Sequence, residues 1–372
     1  MAEVQSLERF RLRIFLTSRP EVPVRNEFCK IPDAEHQDFV LHNISPSTVD
    51  HDITVFFEHS FRLIAQDRCL FAGWPGADDV EQLVQNASGL FIWAATACRF
   101  IREGGQFVDD RLRAILNDSS FTDDSPTDGS STDSSSTDDS SAIPPEKRLN
   151  NIYLTVLMNP VRRNTGQEKR KWYKLIRETL GAIILLFSPL SASSLVKLLD
   201  VSEGDIDQKL NELHSILDVP QDQTRPVRLH HPSFREFLLN KDRCGPNFWV
   251  ADEQAHQKLA GSCIRLMNAC LKQDICSIDS PGSLVAEVRR TQVEQCLPSE
   301  LQYACLYWIQ HLVKSGAQLS NNDYLHKFLK EHFLHWLEAL SWMGKVLEGI
   351  YAINALESIA LVSLPAPCGS FC

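Results

Sequence analysis

The most informative alternation of apolar and polar positions lies in residues 227–239, which read VRLHHPSFREFLL. Val227 and Leu229 alternate with polar neighbours, as in a half-buried strand. A proline suited to the first turn of a helix follows, and Phe234 and Phe237 then recur at helical spacing. The pattern predicts a short strand, a His-Pro turn, and a helix that buries its aromatic face.

Two histidines, His230 and His231, fall at this junction of strand and helix. The first backbone N–H groups of a helix have no partner inside the helix and attract anions. The two residues therefore form a candidate anion site, and this stretch alone leaves open whether an anion binds there.

Apolar positions in the first third of the chain predict one strand and then a helical bundle. Residues 14–16 (IFL) are typical of the end of a buried parallel strand, where α/β sheets place ligand-binding residues; the alternative is a strand followed by a solvated arginine. No earlier segment predicts a partner strand, so we expect the rest of such a sheet to lie upstream. From residue 45, helical spacing predicts three helices, and the third, at residues 90–100, is apolar on nearly all sides.

Residues 117–143 have no periodic apolar pattern. Ser-x-Thr-Asp-x pentads start at Ser120, Ser125, Ser130 and Ser135. Such a composition cannot bury enough apolar surface to offset its ordering entropy, so we predict a disordered linker between two domains. The acidic context of each pentad serine would suit a kinase, but a spacer of no specific role is the interpretation that we favour.

Residues 145–241 have the element order of a winged helix, in which short helices precede a β-hairpin. The predicted elements are helices at 149–157, 172–186, 191–199 and 203–217 and strands at 216–219 and 227–230. The helix that would enter a DNA groove carries four acidic residues against Lys209 alone, so phosphates would repel it. We therefore interpret the unit as a winged helix that packs against protein, and winged-helix DNA binding is the less favoured alternative.

Residues 245–360 predict a helical arm with three apolar stripes, and residues 361–372 predict a flexible tail. In the third stripe the pair His332 and His335, with glutamates nearby, has a spacing that could suit a metal. The stretch lacks an H-E-x-x-H pattern, and a helix that packs one face and solvates the other explains these residues equally well. We predict no metal ligands.

Composition narrows the class of protein. The chain has 372 residues and 11 scattered cysteines, with no C-x-x-C pair and no signal-like N-terminus, which indicates a cytoplasmic protein with reduced thiols. Its longest apolar run, residues 180–187, is too short for a membrane span. Seven aspartates of the linker supply much of the net charge of −11, so the folded remainder lacks the basic face of a nucleic-acid binder.

Several stretches together resemble the fungal NACHT proteins, signal-transducing NTPases of the STAND class that often carry a WD-repeat propeller downstream. The matching stretches are residues 12–21 (LRIFLTSRPE), 52–61 (DITVFFEHSF), 87–101 (ASGLFIWAATACRFI), 188–199 (SPLSASSLVKLL), 229–239 (LHHPSFREFLL), 303–312 (YACLYWIQHL) and 332–341 (HFLHWLEALS). The resemblance implies a mainly α fold with a residual AAA+-type strand that ends the nucleotide-binding domain, then a helical lid, a winged-helix domain and a helical arm. The corresponding ranges are 1–30, 45–116, 145–241 and 245–360.

In such proteins ADP is clamped between the nucleotide-binding domain, the lid and the winged helix. By resemblance, Arg19 in T-S-R-P is the sensor arginine that faces the terminal phosphate, and His231 is the winged-helix histidine that touches the β-phosphate. Guanidinium and imidazole groups both donate hydrogen bonds to phosphate. Gly89 begins the stretch where related lids carry Gly-x-Pro against the adenine, and Phe91 here replaces the proline.

The sequence departs from the family in the residues that perform the chemistry. It contains neither the G-x-x-x-x-G-K-[ST] loop nor the acidic strand that holds Mg²⁺, so we expect no catalytic residue and no ATP, ADP or Mg²⁺ bound by the chain itself. We interpret it as a non-catalytic fragment or truncated paralogue of a heterokaryon-incompatibility-type switch that packs against full-length NACHT proteins or itself. The alternative is an incomplete copy of an ATP- or GTP-hydrolysing switch whose Walker loop lies upstream.

Overall fold

A computed structural model of the chain describes most of its residues. The described ranges are 13–18, 21–32, 34–71, 73–117, 143–162, 164–202, 204, 206, 210–279, 282, 285–316 and 324–363. Residues 118–142 of the predicted disordered linker, and Arg19, therefore lie outside the described residues. By its internal contacts the chain divides into two units, Met1–Val49 and Asp50–Cys372.

The fold is mainly α-helical, as predicted. Within the described ranges, fifteen α-helices have defined limits and two short strands form one hairpin. The helices are α1 Val22–Phe28, α2 Pro46–Arg68, α3 Ala77–Ala87, α4 Phe91–Arg102, α5 Val108–Leu116, α6 Pro145–Met158, α7 Gly166–Leu185, α8 Ala192–Leu199, α9 Ser233–Leu239, α10 Lys241–Phe248, α11 Asp252–Cys270, α12 Arg290–Cys296, α13 Ser299–Lys314, α14 Tyr324–Trp342 and α15 Val346–Ser363. The strands are β1 Leu217–Asp218 and β2 Arg228–Leu229. None of the described helices has the length and apolarity needed to cross a bilayer.

The strand predicted at residues 14–16 is absent, and this prediction was wrong. Residues 13–18 form neither helix nor strand, and Ile14, Phe15 and Leu16 are each more than half exposed. An apolar run becomes a buried strand only when neighbouring strands satisfy its backbone groups and cover its side chains. The described part of the first unit contains helix α1 and a 3₁₀ turn at Leu41–Asn43 but no strand that could do so.

Helices α2 to α5 form the helical bundle that the sequence predicts after residue 45. Ile53, Phe57, Phe61 and Ile64 lie on the buried face of α2 at helical spacing. The Phe57 and Phe61 rings stack 5.4 Å apart, and the Trp74 ring packs edge-on against Phe61. Helix α4 is buried on several sides, so it lies at the centre of this bundle.

The hairpin confirms the strand pattern of the sequence, although its strands are shorter than predicted. Strand β1 pairs antiparallel with β2, with Leu217 opposite Leu229. Ser191 is the N-cap of helix α8, and its Oγ accepts the N–H of Ser194, which agrees with the predicted start of the helix at residues 191–199. Of the helix predicted at 203–217, residues 204, 206, 210 and 211 are helical and residues 212–216 form turns.

The last third of the described chain is mainly helical, and most residues of the predicted apolar stripes are buried. Trp308 packs edge-on against Phe328 at 5.5 Å and against Trp336 at 5.8 Å. The carboxylate of Glu338 accepts the N–H groups of Asp274 and Ile275, so it holds a preceding loop in place. The part of the chain that the structure describes holds no cluster of three or more potential metal-binding side chains.

Candidate functional site

His231 lies in the turn between β2 and α9 and is the partly buried end of a chain of hydrogen bonds. Its Nδ1 accepts the backbone N–H of Ser233 at 3.2 Å and lies 2.7 Å from Ser233 Oγ. Since Nδ1 is the acceptor, the hydroxyl of Ser233 donates to it and the neutral ring carries its proton on Nε2. Ser233 Oγ in turn lies 2.8 Å from Tyr153 Oη, which then donates to Ser233.

Three aromatic rings hold this hydrogen-bond chain in position. The ring of Tyr153 on α6 packs 5.0 Å from Phe234 and 5.3 Å from Phe237, both on α9. Burial raises the pKa of Tyr153, so the phenol stays protonated and remains a donor to Ser233. The helical spacing of the two phenylalanines therefore fixes the turn that carries His231.

His230 has a different role from His231. Its Nε2–H donates to the backbone carbonyl of His214 at 2.9 Å, and its backbone N–H donates to Ile216 at 3.1 Å. Burial lowers the pKa of His230, and the nearby positive charge of Arg99 lowers it further. Of the two histidines that the sequence left as candidates for an anion contact, His230 thus fastens β2 to the segment before β1.

Gly89 lies between α3 and α4 with a φ of +76°, a backbone conformation that favours glycine. It therefore has a local structural role at the start of α4. The Tyr153 hydroxyl interacts electrostatically with Arg99, which lies about 12 Å further along the α4 axis than Phe91. Gly89 therefore lies beside the N-terminal end of α4, whereas the Tyr153 hydroxyl of the His231 hydrogen-bond chain interacts with a residue near its C-terminal end.

A polar contact connects the C-terminal end of α4 with the segment before β1. We call it the seam, and it comprises Arg99, Glu103, Arg111, Glu212 and Ser215. Arg111 Nη1 lies 3.8 Å from Glu103 Oε2 and donates to the carbonyl of Phe100 at 2.6 Å. The guanidinium also lies 4.6 Å above the Phe100 ring, at cation–π distance.

The two glutamates of the seam resist ionisation. Burial raises the pKa of Glu103 to about 7, against the opposing effects of Arg111, the Ser215 N–H and Arg99. Burial also raises the pKa of Glu212, with Arg111 opposing it. A change of charge on Glu103 near neutral pH would therefore alter the contact between the bundle and the hairpin.

The seam is incompletely hydrogen-bonded. Arg99 Nη1, Glu212 Oε2 and Ser215 Oγ are buried without a hydrogen-bond partner, and they are three of the five such side-chain atoms in the described ranges. A buried polar atom without a partner costs about 1–3 kcal/mol relative to its solvated state. Separating α4 and α5 from the segment before β1 would allow water to reach these atoms. Opening the seam therefore costs less free energy than opening a dry apolar contact.

A different contact, between the bundle and α6, lies near the N-terminal end of α4. Arg148 donates from Nη1 to Asn86 Oδ1 at 3.0 Å, and Trp93 Nε1 donates to the Arg148 carbonyl at 3.1 Å. These residues line a cavity of 120 Å³ that Gln82 and Gln85 also border. Helix α6 is thus tied to α3 and α4 by well-paired groups, in contrast to the seam.

The sequence of this chain is similar to a curated fungal protein. Over 209 residues it is 27% identical to the vegetative incompatibility protein HET-E-1 of Podospora anserina. The match supports a NACHT-related family. It covers 50% of this chain and only 15% of HET-E-1. No protein-family model matches the chain, and no solved structure matches it.

The seam is not predicted by the sequence patterns described above. Helix α4 reads FIWAATACRFIR, and Arg99 is the one charged residue inside an otherwise apolar face. A charged residue within an apolar helix needs a partner when it is buried, so Arg99 was the available signal. The partners Glu212 and Ser215 lie more than 100 residues away and could not be inferred from that signal.

Replacing Glu103 with glutamine is expected to stabilise the protein at pH 8 by about 1–3 kcal/mol. The folded state holds a proton on Glu103 up to about pH 7 whereas the unfolded chain releases it near 4.5, so stability contributed by this group falls as pH rises between these values. Urea denaturation at pH 5 and pH 8 measures the effect. Glu58→Gln, at an exposed position of α2, is the matched control. An equal effect of Glu103→Gln at both pH values would contradict the assignment.

Proposed function

We propose that this chain is a NACHT/STAND-like signalling component that works by protein–protein packing and does not itself hydrolyse nucleotide. The observation that carries the proposal is the similarity to HET-E-1, a vegetative incompatibility protein. The mainly α-helical fold agrees with the lid, winged helix and arm that the resemblance implies. The absence of a G-x-x-x-x-G-K-[ST] loop from this sequence motivates the non-catalytic part of the proposal.

In this proposal the helical bundle is the lid and the unit from α6 to α9 is the winged helix. The two would change their contact at the seam, while the Arg148 contact would keep α6 attached to α3 and α4. The three unpaired polar atoms support this division, because they lower the cost of opening the seam. The change would then expose new surface to a partner.

His231 would be the group through which the hairpin unit responds to a nucleotide held by a partner. Its neutral ring carries the proton on Nε2, the form that can donate to a phosphate oxygen. The bond from Ser233 maintains this tautomer. Arg19, the other residue assigned by resemblance, would act from the first unit, but it lies outside the described residues.

A binding assay with full-length HET-E-1 tests the packing role. The tagged chain is immobilised and the retained HET-E-1 is compared with that on tag alone. We expect retention several-fold above the tag, and loss of it in Phe237→Ala, which removes a fully buried ring of α9. Phe71→Ala, at a 70% exposed position, is the matched control and should retain HET-E-1 like the wild-type chain. Retention equal to the tag alone would refute the packing role with this protein.

A titration with fluorescently labelled ADP tests the non-catalytic part of the proposal. We expect no saturable binding by the chain alone, because it has no loop of backbone N–H groups and lysine for the phosphates. An ATPase of known affinity, run in parallel, verifies the assay. Saturable binding that His231→Ala weakens would overturn this part and favour a chain that binds nucleotide by itself.

A further inference from the structure

A small cavity lies where α3, α4 and α6 meet, beside the contact that Arg148 makes. It has a volume of 120 Å³, and Trp93 and Ile152, which are 4% and 2% exposed, give it an apolar wall. Ile115 on α5 adds a third buried apolar side chain to the lining. An apolar cavity of about 150 Å³ holds benzene, so this cavity admits a molecule of that size or smaller.

The lining of the cavity contains one charged side chain, Arg148, and otherwise consists of apolar groups and carboxamides. Nη1 of Arg148 donates to Asn86 Oδ1 at 3.0 Å, and Nε donates to the Ile143 carbonyl at 3.4 Å, so the guanidinium is held in one place. In the described ranges no carboxylate oxygen lies within 4.0 Å of the Arg148 side-chain nitrogens, and no group accepts a hydrogen bond from Nη2. The cavity therefore carries a positive charge that no described carboxylate balances.

Carboxamide side chains share the lining with this guanidinium. Asn86 is 5% exposed, and because its Oδ1 accepts from Arg148, its Nδ2 keeps two N–H donors, which no described group accepts. Gln82, Gln85 and Asn151 add three more carboxamides. A charged planar donor beside neutral N–H donors is the combination that suits a carboxylate, whereas a cationic ligand would be repelled.

We propose that this cavity binds the anion of a free monocarboxylic acid of about four carbon atoms, the size that the volume admits. One carboxylate oxygen accepts from Nη2 of Arg148 and the other from Nδ2 of Asn86, while the hydrocarbon part contacts Trp93. The bond from Arg148 to Asn86 already fixes both groups, so binding costs little ordering of side chains. An inorganic anion would satisfy the charge but leave the apolar wall in contact with water.

The bound anion connects three helices, because Asn86 is on α3, Trp93 on α4 and Arg148 on α6. Its contacts add to the hydrogen bonds from Arg148 to Asn86 and from Trp93 to the Arg148 carbonyl, which already tie α6 to the bundle. A ligand that binds only the folded chain raises the stability of that chain, so we expect Tm to rise with ligand concentration. The cavity is distinct from the seam, and the inference does not depend on the packing role proposed above.

Saturation-transfer difference NMR on the whole chain tests the proposal, with sodium butyrate as the ligand and sodium chloride holding the ionic strength constant. We expect saturable binding within a titration to about 50 mM, because so small a ligand binds weakly. Butyramide has nearly the same shape but no charge, and we expect it to bind at least about tenfold more weakly, since hydrogen bonds to charged groups are the stronger ones. The absence of saturable butyrate binding, or equal binding of butyramide, would overturn the proposal.

Two variants locate the binding. Arg148→Met removes the charge and keeps an unbranched side chain, and we expect the Kd for butyrate to rise at least about tenfold. Lys147→Met, at the neighbouring exposed position of α6, is the matched control and should bind butyrate like the wild-type chain. Gln85→Trp, at an exposed position of the lining, should weaken binding by filling the cavity while the bond from Arg148 to Asn86 remains. Circular dichroism verifies that each variant is folded, and butyrate binding unchanged in both Arg148→Met and Gln85→Trp would refute this site.

A last ligand distinguishes a free acid from the carboxylate at the end of a peptide. N-acetylvaline carries the same carboxylate on a larger group, which exceeds the volume of the cavity. We therefore expect it to bind more weakly than butyrate and to leave Tm unchanged at concentrations at which butyrate raises it. Tighter binding of N-acetylvaline than of butyrate would overturn the assignment to a small free acid.

Discussion

Replacing Phe237 with alanine is expected to lower the free energy of unfolding by about 3–5 kcal/mol. The side chain is 0% exposed, and its ring packs 5.3 Å from Tyr153 and 6.1 Å from Phe234. Alanine would leave a cavity where α6 meets α9, in addition to the lost transfer free energy of the ring. The loss is measured by urea denaturation followed by circular dichroism.

The same variant tests whether the aromatic cluster positions His231. Because Tyr153 donates to Ser233 and Ser233 to His231, a shift of Tyr153 would disturb the hydrogen-bond chain. Phe71→Ala, at a 70% exposed position, should change the stability by less than about 0.5 kcal/mol. A loss below about 1 kcal/mol in Phe237→Ala would show that the core closes over the cavity and that the cluster does not fix the turn.

Local sequence patterns correctly predicted those parts of the fold that depend only on residues close together in the sequence. Phe234 and Phe237 at helical spacing are buried as predicted, and the alternation at Val227 and Leu229 correctly indicated the second strand of the hairpin. The start of the helix predicted at residues 191–199 was also found, and Ser191 caps it through residues within one turn. These features follow from the 3.6 and 2.0 residue periods and need no knowledge of distant partners.

Features that depend on distant partners could not be predicted. The apolar run at residues 14–16 has the composition of a buried strand, but without neighbouring strands in the described part of its unit it is exposed. In the seam, Glu103 meets Ser215 across more than a hundred residues, so its raised pKa has no local signature.

The candidate site was predicted in part. The sequence resemblance selected His231, and the structure adds the Ser233 bond that determines which ring nitrogen is protonated. The structure also gives His230 a role different from that of His231. The His230 ring donates to the His214 carbonyl and helps to hold the hairpin. Gly89 lies toward the other end of α4, so its assigned contact with adenine stays a prediction. The same holds for the role of Arg19, which is outside the described residues.

A buried histidine pair in the arm makes stability depend on pH. His311 is 0% exposed, its Nε2 lies 2.7 Å from Tyr303 Oη, and its Nδ1 lies 2.8 Å from His256 Nδ1. Asp252 lies 3.7 Å from His256 Nε2 and favours a proton there. His311 then carries its proton on Nδ1 and donates to His256, while Tyr303 donates to His311. Tyr303 also accepts the N–H of Phe187, so this polar chain joins the end of α7 to α11 and α13.

Acidification is expected to destabilise the protein through His311. Burial lowers its pKa to about 3, and the neighbouring His256 lowers it further. Below pH 6.5 the unfolded chain binds a proton at this residue, whereas the folded protein does not do so until about pH 3. Stability therefore falls as pH decreases through this window, by about 3–5 kcal/mol in total. Burial also lowers the pKa of His256, which adds to the effect in the same direction.

The variant His311→Gln is expected to flatten this pH dependence. Glutamine can accept from Tyr303 and donate to His256, but it does not titrate between pH 7 and pH 4. Urea midpoints of the wild-type chain and the variant are compared at pH 7, 6, 5 and 4. His51→Gln, at an exposed position of α2, is the matched control. Its urea midpoint should change with pH as that of the wild-type chain does.

The variant must be compared with the wild-type chain, because Glu103 and His311 change the stability in opposite directions as the pH falls. Its stability contribution grows as pH falls from about 7, since the folded state then keeps a proton that the unfolded chain binds only near 4.5. Both chains contain Glu103, so the difference between His311→Gln and the wild type isolates the histidine. If the urea midpoints of the two chains changed equally from pH 7 to pH 4, protonation of His311 in the folded state would carry no cost in stability. The hydrogen-bond chain from Phe187 to His256 would then need a different proton arrangement from the one derived above.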